Sequence, residues 1–351
     1  MINDKNKKQE GGDGSSNIQA ESVTVYNGIT YKDAKEIALD VFNSNFIRLK
    51  SEAAQIAAER AEEITEQILK ELSEKSPESL DKFKQPALQD ALYQTQKEYA
   101  KSGDKELGDL LVDILVDRVK TSERNMLQLV LDESLTIAPK LTVEHFDILT
   151  LNFLLVQTVN RNIINLETFK GYISTNILPF CENLTLERTT ISHLEYLGCG
   201  HVRAGNYGNL EDNFKRKYKA VFSKGFTEEE YEKQIGNFDD YKKFTIPCLH
   251  DNNKLQIGTI DESVLIQEME KSGIEQDIQD KLKTLFNTST MSNQEIKDYL
   301  ISIEPKMELV FNIWNDSVFK NLELTGVGVA IAHANYRRKT GITMDLTIWI
   351  K

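Results

Sequence analysis

Apolar positions are densest between Gly103 and Val159, and the rest of the chain reads as built onto that stretch. Leu107, Leu110, Leu111, Ile114, Leu115 and Val119 recur at helical spacing and predict an amphipathic helix with a broad apolar stripe. Gly103 stops the preceding helix and Asp104 caps this one. A second helix is expected from about Glu123 to Ala138, because Pro139 cannot continue it. Thr142 caps a third, in which Phe146, Ile148, Leu149, Leu151, Phe153, Leu154, Leu155 and Val156 cover nearly every face. A helix that is apolar all round belongs inside a core.

The pattern upstream is also helical. Thr30 with Asp33 makes a capping-box-like start for a helix over Tyr31 to about Lys50. Ala53, Ala57, Ala61, Ile64, Ile68 and Leu72 then step by fours and threes, a seam whose alanines let helices approach closely. Ser76-Pro77 and Gln85-Pro86 each place proline at a first helical position, the second helix running to Gly103.

Downstream, Asn165 caps a helix that ends near Pro179. The run Leu186 to Leu197, followed by Gly198 and a short strand, reads as the third helix and first wing strand of a winged-helix unit. Its second half comes much later, as a strand ending near Leu324, the helix opened by Thr325, and an alternating strand over Asp345 to Ile350. The intervening segment carries capping boxes at Thr227/Glu230 and Ser292/Glu295, a short strand within Leu255 to Ile260, and a helix begun by Glu304-Pro305. The expected fold is therefore mainly α. A flexible leader with one short strand occupies 1–28 and a helical bundle 29–140. A winged-helix-like α+β domain is formed by 141–204 with 317–351, and a long, mostly helical insertion fills 205–316.

Charge narrows the functional classes. The 55 acidic and 42 basic residues leave a formal net charge of −13, a field that repels phosphate backbones and argues against nucleic acid as a partner. No window approaches the run of about 20 apolar residues needed to span a bilayer, and MINDKNKKQE is too polar for a signal peptide. Cys181, Cys199 and Cys248 make a poor disulfide framework, which points to a reduced, cytoplasmic setting.

Five features carry candidate chemistry. Asp109, Asp113 and Asp117 share one helix face and could hold a divalent cation, although a solvated face opposite the apolar stripe is the plainer expectation. The pairs Cys199/His201 and Cys248/His250 offer four zinc ligands, though the C-x-H spacing is tighter than familiar zinc sites use. Thr325-Gly326-Val327-Gly328 resembles a dinucleotide fingerprint without its third glycine; close packing of the last helix on the wing strands explains the glycines better. Lys215, Arg216 and Lys217, with Arg337 and Arg338, could meet phosphates, but neighbouring carboxylates favour a salt-bridged surface. In the leader, the turn formers from Gly11 followed by Ile18, Val23, Val25 and Tyr26 suit one strand that would add to another sheet or to a second copy. P-loop, G-x-S-x-G and H-E-x-x-H motifs do not occur.

Two resemblances follow from these residues. The leader GGDGSSNIQA followed by GITYKDAKEIALDVFNSNFIRL resembles an N-terminal module found in front of varied bacterial proteins, several linked to phage defence. The phrases KELGDLLVDILVDR, LDESLTIAPKLTVEHFDIL, ISHLEYLGCG and LELTGVGVAIA are similar in order to the abortive-infection alpha family, and to an uncharacterised bacterial family of this length. These resemblances imply a bacterial defence-associated protein and carry over no catalytic residue. The expectation is a non-enzymatic interaction or scaffold protein that needs no cofactor and binds protein partners, including further copies of itself as a homo-oligomer. The alternatives are a winged-helix DNA-binding regulator and a metal-dependent enzyme.

Overall fold

Local hydrogen bonds set the helix boundaries from the first described residue. The computed structural model describes residues 30–45, 51–121, 123–182, 184, 187–205, 208–315 and 318–351. Thr30 N donates to Oδ2 of Asp33 at 3.0 Å and Asp33 N to Oγ1 of Thr30 at 3.2 Å, opening α1 (Tyr31–Asn45). In α2 (Ser51–Lys75) the buried seam begins at Ala57 and continues through Ala61, Ile64, Ile68 and Leu72, while Ala53 is exposed. Gln96 ties the first three helices together, donating to the carbonyl of Ala38 at 3.1 Å and to Thr65 Oγ1 at 2.8 Å.

The segment Pro77–Lys84 is a 3-10 helix with Pro77 in its first turn, and Ser76 makes no side-chain cap. Helix α3 (Pro86–Ser102) ends on Gly103 at φ +61°, and α4 (Lys105–Lys120) begins with Asp104 accepting from the amides of Glu106 and Leu107. Asn125 caps α5 (Met126–Ile137), and Thr142 with His145 caps α6 (Val143–Val156). Every residue of α6 from Phe146 to Leu155 is buried, so the all-apolar pattern did mark the centre of the core.

Asn165 caps α7 (Leu166–Tyr172), which continues through a π turn to Ile177. Then come α8 (Arg188–Tyr196), β1 (Gly200–Val202) and α9 (Leu210–Lys217). Helices α10 (Glu228–Gln234) and α11 (Phe238–Tyr241) precede a small hairpin of β2 (Thr245–Pro247) and β3 (Leu255–Ile257). Helices α12 (Glu262–Lys271), α13 (Gln276–Thr288), α14 (Asn293–Ile303) and α15 (Met307–Asn315) lead to β4 (Leu322–Leu324) and α16 (Gly326–Thr340). The chain is mainly helical. Strand β4 returns to pair antiparallel with β1, placing Gly200 opposite Leu324 and Val202 opposite Leu322.

One expected strand is absent. Asp345 to Ile350 contains a 3-10 turn at Leu346–Ile348, capped by Asp345. Leu346 and Ile350 are buried whereas Ile348 is 62% exposed, so burial recurs every four residues and suits a helical turn rather than a strand.

Packing follows the apolar faces rather than chain order. Helix α16 lies against α4, α5 and α6, and is buried from Gly328 to Arg337. Leu210, Phe214, Leu300, Phe311 and Trp314 bring α9, α14 and α15 into this same main core. A separate small core runs from Phe226 to Phe286, with Tyr231, Phe244, Leu265 and Leu282. Among the described residues, no helix is long and apolar enough to cross a membrane.

Candidate functional site

The last turns of α16 carry a row of cations, which a helix C-terminus favours, and each finds a partner inside the fold. Arg337 Nε donates to Oδ1 of Asp113 at 2.9 Å, and its Nη1 to both carboxylate oxygens of Asp117 at 3.0 Å. A fourth bond, from Nη2, reaches the backbone carbonyl of Asp113 at 2.8 Å. Two residues on, Lys339 Nζ lies 2.7 Å from both oxygens of Asp147, and Asn335 bridges Asp147 and Thr150. Arg338 donates to Asn335 Oδ1 and reaches Glu106 at 3.4 Å.

This arrangement replaces the solvated face expected for the aspartate row. Asp109 accepts from Gln67 at 2.7 Å, while Asp113 and Asp117 share one guanidinium under α16. Two carboxylates against one cation leave a residual negative charge in a desolvated place. Burial pushes the Asp113 carboxyl up to about 6, against the pull of Arg337 and assisted by Asp117. Near the same end, His333 bonds through Nε2 to the carbonyl of Met344 at 2.8 Å, and burial holds its imidazole below the usual range.

The two C-x-H pairs are set apart. Cys199 is buried, its thiol pushed up to about 12 by burial, and His201 faces Glu323 across the β1–β4 pair at 3.4 Å. Cys248 is buried against the carbonyl of Ser223, and His250 Nε2 lies 2.7 Å from the carbonyl of Val221. Among the described residues no three His, Cys, Asp or Glu side chains gather to hold a metal ion. The glycines of Thr325–Gly328 answer to packing: a β-carbon on Gly328 would overlap the carbonyl oxygen of Cys199, just before β1.

The basic candidates scatter. Lys215 is half-buried and Arg216 exposed, the latter bonded to Asn213 at 2.9 Å. Lys217 points inward and donates to the carbonyls of Leu154 and Leu155 at 3.0 and 2.6 Å, closing the C-terminus of α6. Burial pulls its amine down to about 7, with a smaller contribution from Arg216. Arg337 and Arg338 belong to the internal network just described. Ile18, Val23, Val25 and Tyr26 lie outside the described residues.

Sequence reasoning missed a hollow of about 580 Å³ between α3 and α5. Ala87, Asp90, Ala91 and Gln94 form one wall and Leu129, Asp132, Glu133 and Thr136 the other, with Val327 of α16 at its edge. Both walls follow the i, i+3, i+4, i+7 spacing of a helix face. Leu129, a large apolar residue left 46% exposed on α5, stands at its mouth. A second hollow of about 540 Å³ lies on the smaller core, lined by Phe226, Lys233, Leu285 and Ser289 among others. His145 and His193 also went unpaired in the sequence reading; their rings lie 5.2 Å apart where α8 meets the start of α6.

A protein-family model matches residues 28–350, and the chain belongs to that family, whose description states no activity. No curated protein and no solved structure matches.

Proposed function

We propose that this family member is a non-enzymatic interaction protein of a bacterial anti-phage or conflict system, acting in the cytoplasm. One contrast carries the reading. The side chains that could supply acid–base chemistry or grip phosphate (Asp113, Asp117, Arg337 and Lys217) are engaged between helices, whereas the hollow between α3 and α5 opens to solvent at Asp90, Leu129 and Glu133. Such a molecule offers a rigid helical body and a surface. The leader would recruit partners by strand addition through Ile18, Val23, Val25 and Tyr26. The pairing of β1 with β4, flanked by α8 and α16, supports a winged-helix-like unit whose closing strand is replaced by a 3-10 turn, and the net charge of −13 favours docking over DNA. The defence association rests on the likeness of the leader and of the helical phrases noted above.

Light scattering after size exclusion tests this, on the full chain and on a version lacking residues 1–28, together with affinity capture from phage-infected cells. Self-association or a specific partner that depends on the leader or the helical half supports the reading. A strict monomer in both versions, with no partner recovered, sinks it.

A further inference from the structure

We infer that the trough between α3 and α5 is the seat of a cationic amphipathic helix contributed by a protein partner. This rests on the interaction role proposed above and adds the chemistry of the occupant. The trough is built as a helix seat. Its two walls are each about two turns long, or roughly 10 Å, and on α3 the exposed Ala87 stands beside the buried Ala91, two small residues that permit close approach between Asp90 and Gln94. Val130, Leu135 and Val327 supply aliphatic surface at the base and edge.

Charge decides what sits there. Among the described residues the lining holds three carboxylates, Asp90, Asp132 and Glu133, and no cation. Arg118, almost fully buried, pairs with Asp132, which leaves the other two without an ion pair among the described residues. A second copy of a chain with net charge −13 would bring like charge to this rim and is disfavoured. A helix with small or aliphatic residues along one stripe and lysines or arginines on its flanks matches both the floor and the rim.

The test uses the full chain and a fluorescein-labelled peptide of alanine, leucine and lysine, about 16 residues long so that it can hold a helix, read by fluorescence anisotropy. Leucines occupy one helical stripe and lysines both flanks. The controls are a scrambled peptide of equal composition and one with glutamate in place of lysine. Binding by the patterned peptide is expected. It should weaken about tenfold or more with Asp90→Lys plus Glu133→Lys, and with Ala87→Trp, which fills the exposed wall without entering the core. Reversal of Glu228 and Glu229 on α10, which packs on the smaller core, should leave it unchanged. Scrambled and patterned peptides binding alike, or binding that survives both groove variants, overturns the proposal. A native partner captured by affinity whose binding is indifferent to the groove variants overturns it too, and leaves the broader interaction role standing.

Discussion

Arg337 and Asp113 are 224 positions apart in sequence, yet Nε of one lies 2.9 Å from Oδ1 of the other beneath α16. Their side chains are 9% and 16% exposed, and Asp117 completes the set at 19%. Removing one member of a buried ion pair strands the remaining charge, which costs about 3–5 kcal/mol. Arg337→Ala is therefore expected to destabilise the fold by about that amount in urea unfolding. A triple variant that also carries Asp113→Asn and Asp117→Asn should recover much of the loss, since no charge is left unpaired. Equal losses in the single and triple variants would show that the pair contributes packing rather than electrostatics.

The surplus carboxylate makes stability depend on pH in a defined direction. Asp113 is pushed up to about 6 in the folded chain against an ordinary value near 3.8. Between these two values the native state binds more protons than the unfolded one, so this group's contribution falls as pH rises from about 4 to 6 and is fully unfavourable above 6. Other carboxylates titrate in the same range, and the informative quantity is the difference from Asp113→Asn. The wild type should gain more stability than the variant between pH 7 and pH 5. Parallel pH profiles in urea unfolding would contradict this assignment.

Local chemistry was legible in the sequence and long-range pairing was not. Caps at Asp104, Thr142, Asn165, Thr227 and Ser292 were readable because a cap involves residues two or three apart. The apolar density of α6 announced the core for the same reason. The aspartate row read as a solvated face because one helix's pattern shows where its apolar stripe lies. It does not show that a helix more than 200 residues later arrives on the flank. Lys217 looked like part of a basic patch because its acceptors, the last carbonyls of α6, have no sequence signature. The closing residues deceived through Ile348, whose apolar side chain mimics the alternation of a strand while standing in solvent. The trough between α3 and α5 escaped notice since it belongs to neither helix alone.

The approach of Gly328 to the carbonyl oxygen of Cys199 sets a strict steric limit. A methyl group there must push α16 away from β1, and α16 is held on its other faces by α4, α5 and α6. Gly328→Ala is expected to cost about 1–3 kcal/mol or more through overpacking, against the helix propensity that alanine would normally add. Gly326→Ala offers a comparison: its β-carbon would meet a methyl of Val130 at 3.0 Å, which needs to give by only a few tenths of an ångström. Thermal unfolding of the two variants should rank Gly328→Ala well below Gly326→Ala. The reverse order would mean that β1 yields more easily than Val130.

Lys217 provides the counterpart on the alkaline side. Its amine is pulled down to about 7 by burial, against an ordinary value of 10.5. Between those values the unfolded chain binds the proton and the folded one releases it, so the contribution to stability rises with pH from about 7 to about 10. The neutral amine still has two hydrogens for the carbonyls of Leu154 and Leu155. Lys217→Met keeps the aliphatic length, removes the titration and leaves those carbonyls without this donor. At pH 7 the two effects oppose each other and the net change should be small, within about 1–2 kcal/mol. By pH 9.5 the wild type should have pulled ahead of the variant in urea unfolding. A constant difference between the two proteins across that range would show that the amine stays charged and that α6 is closed by an ammonium group.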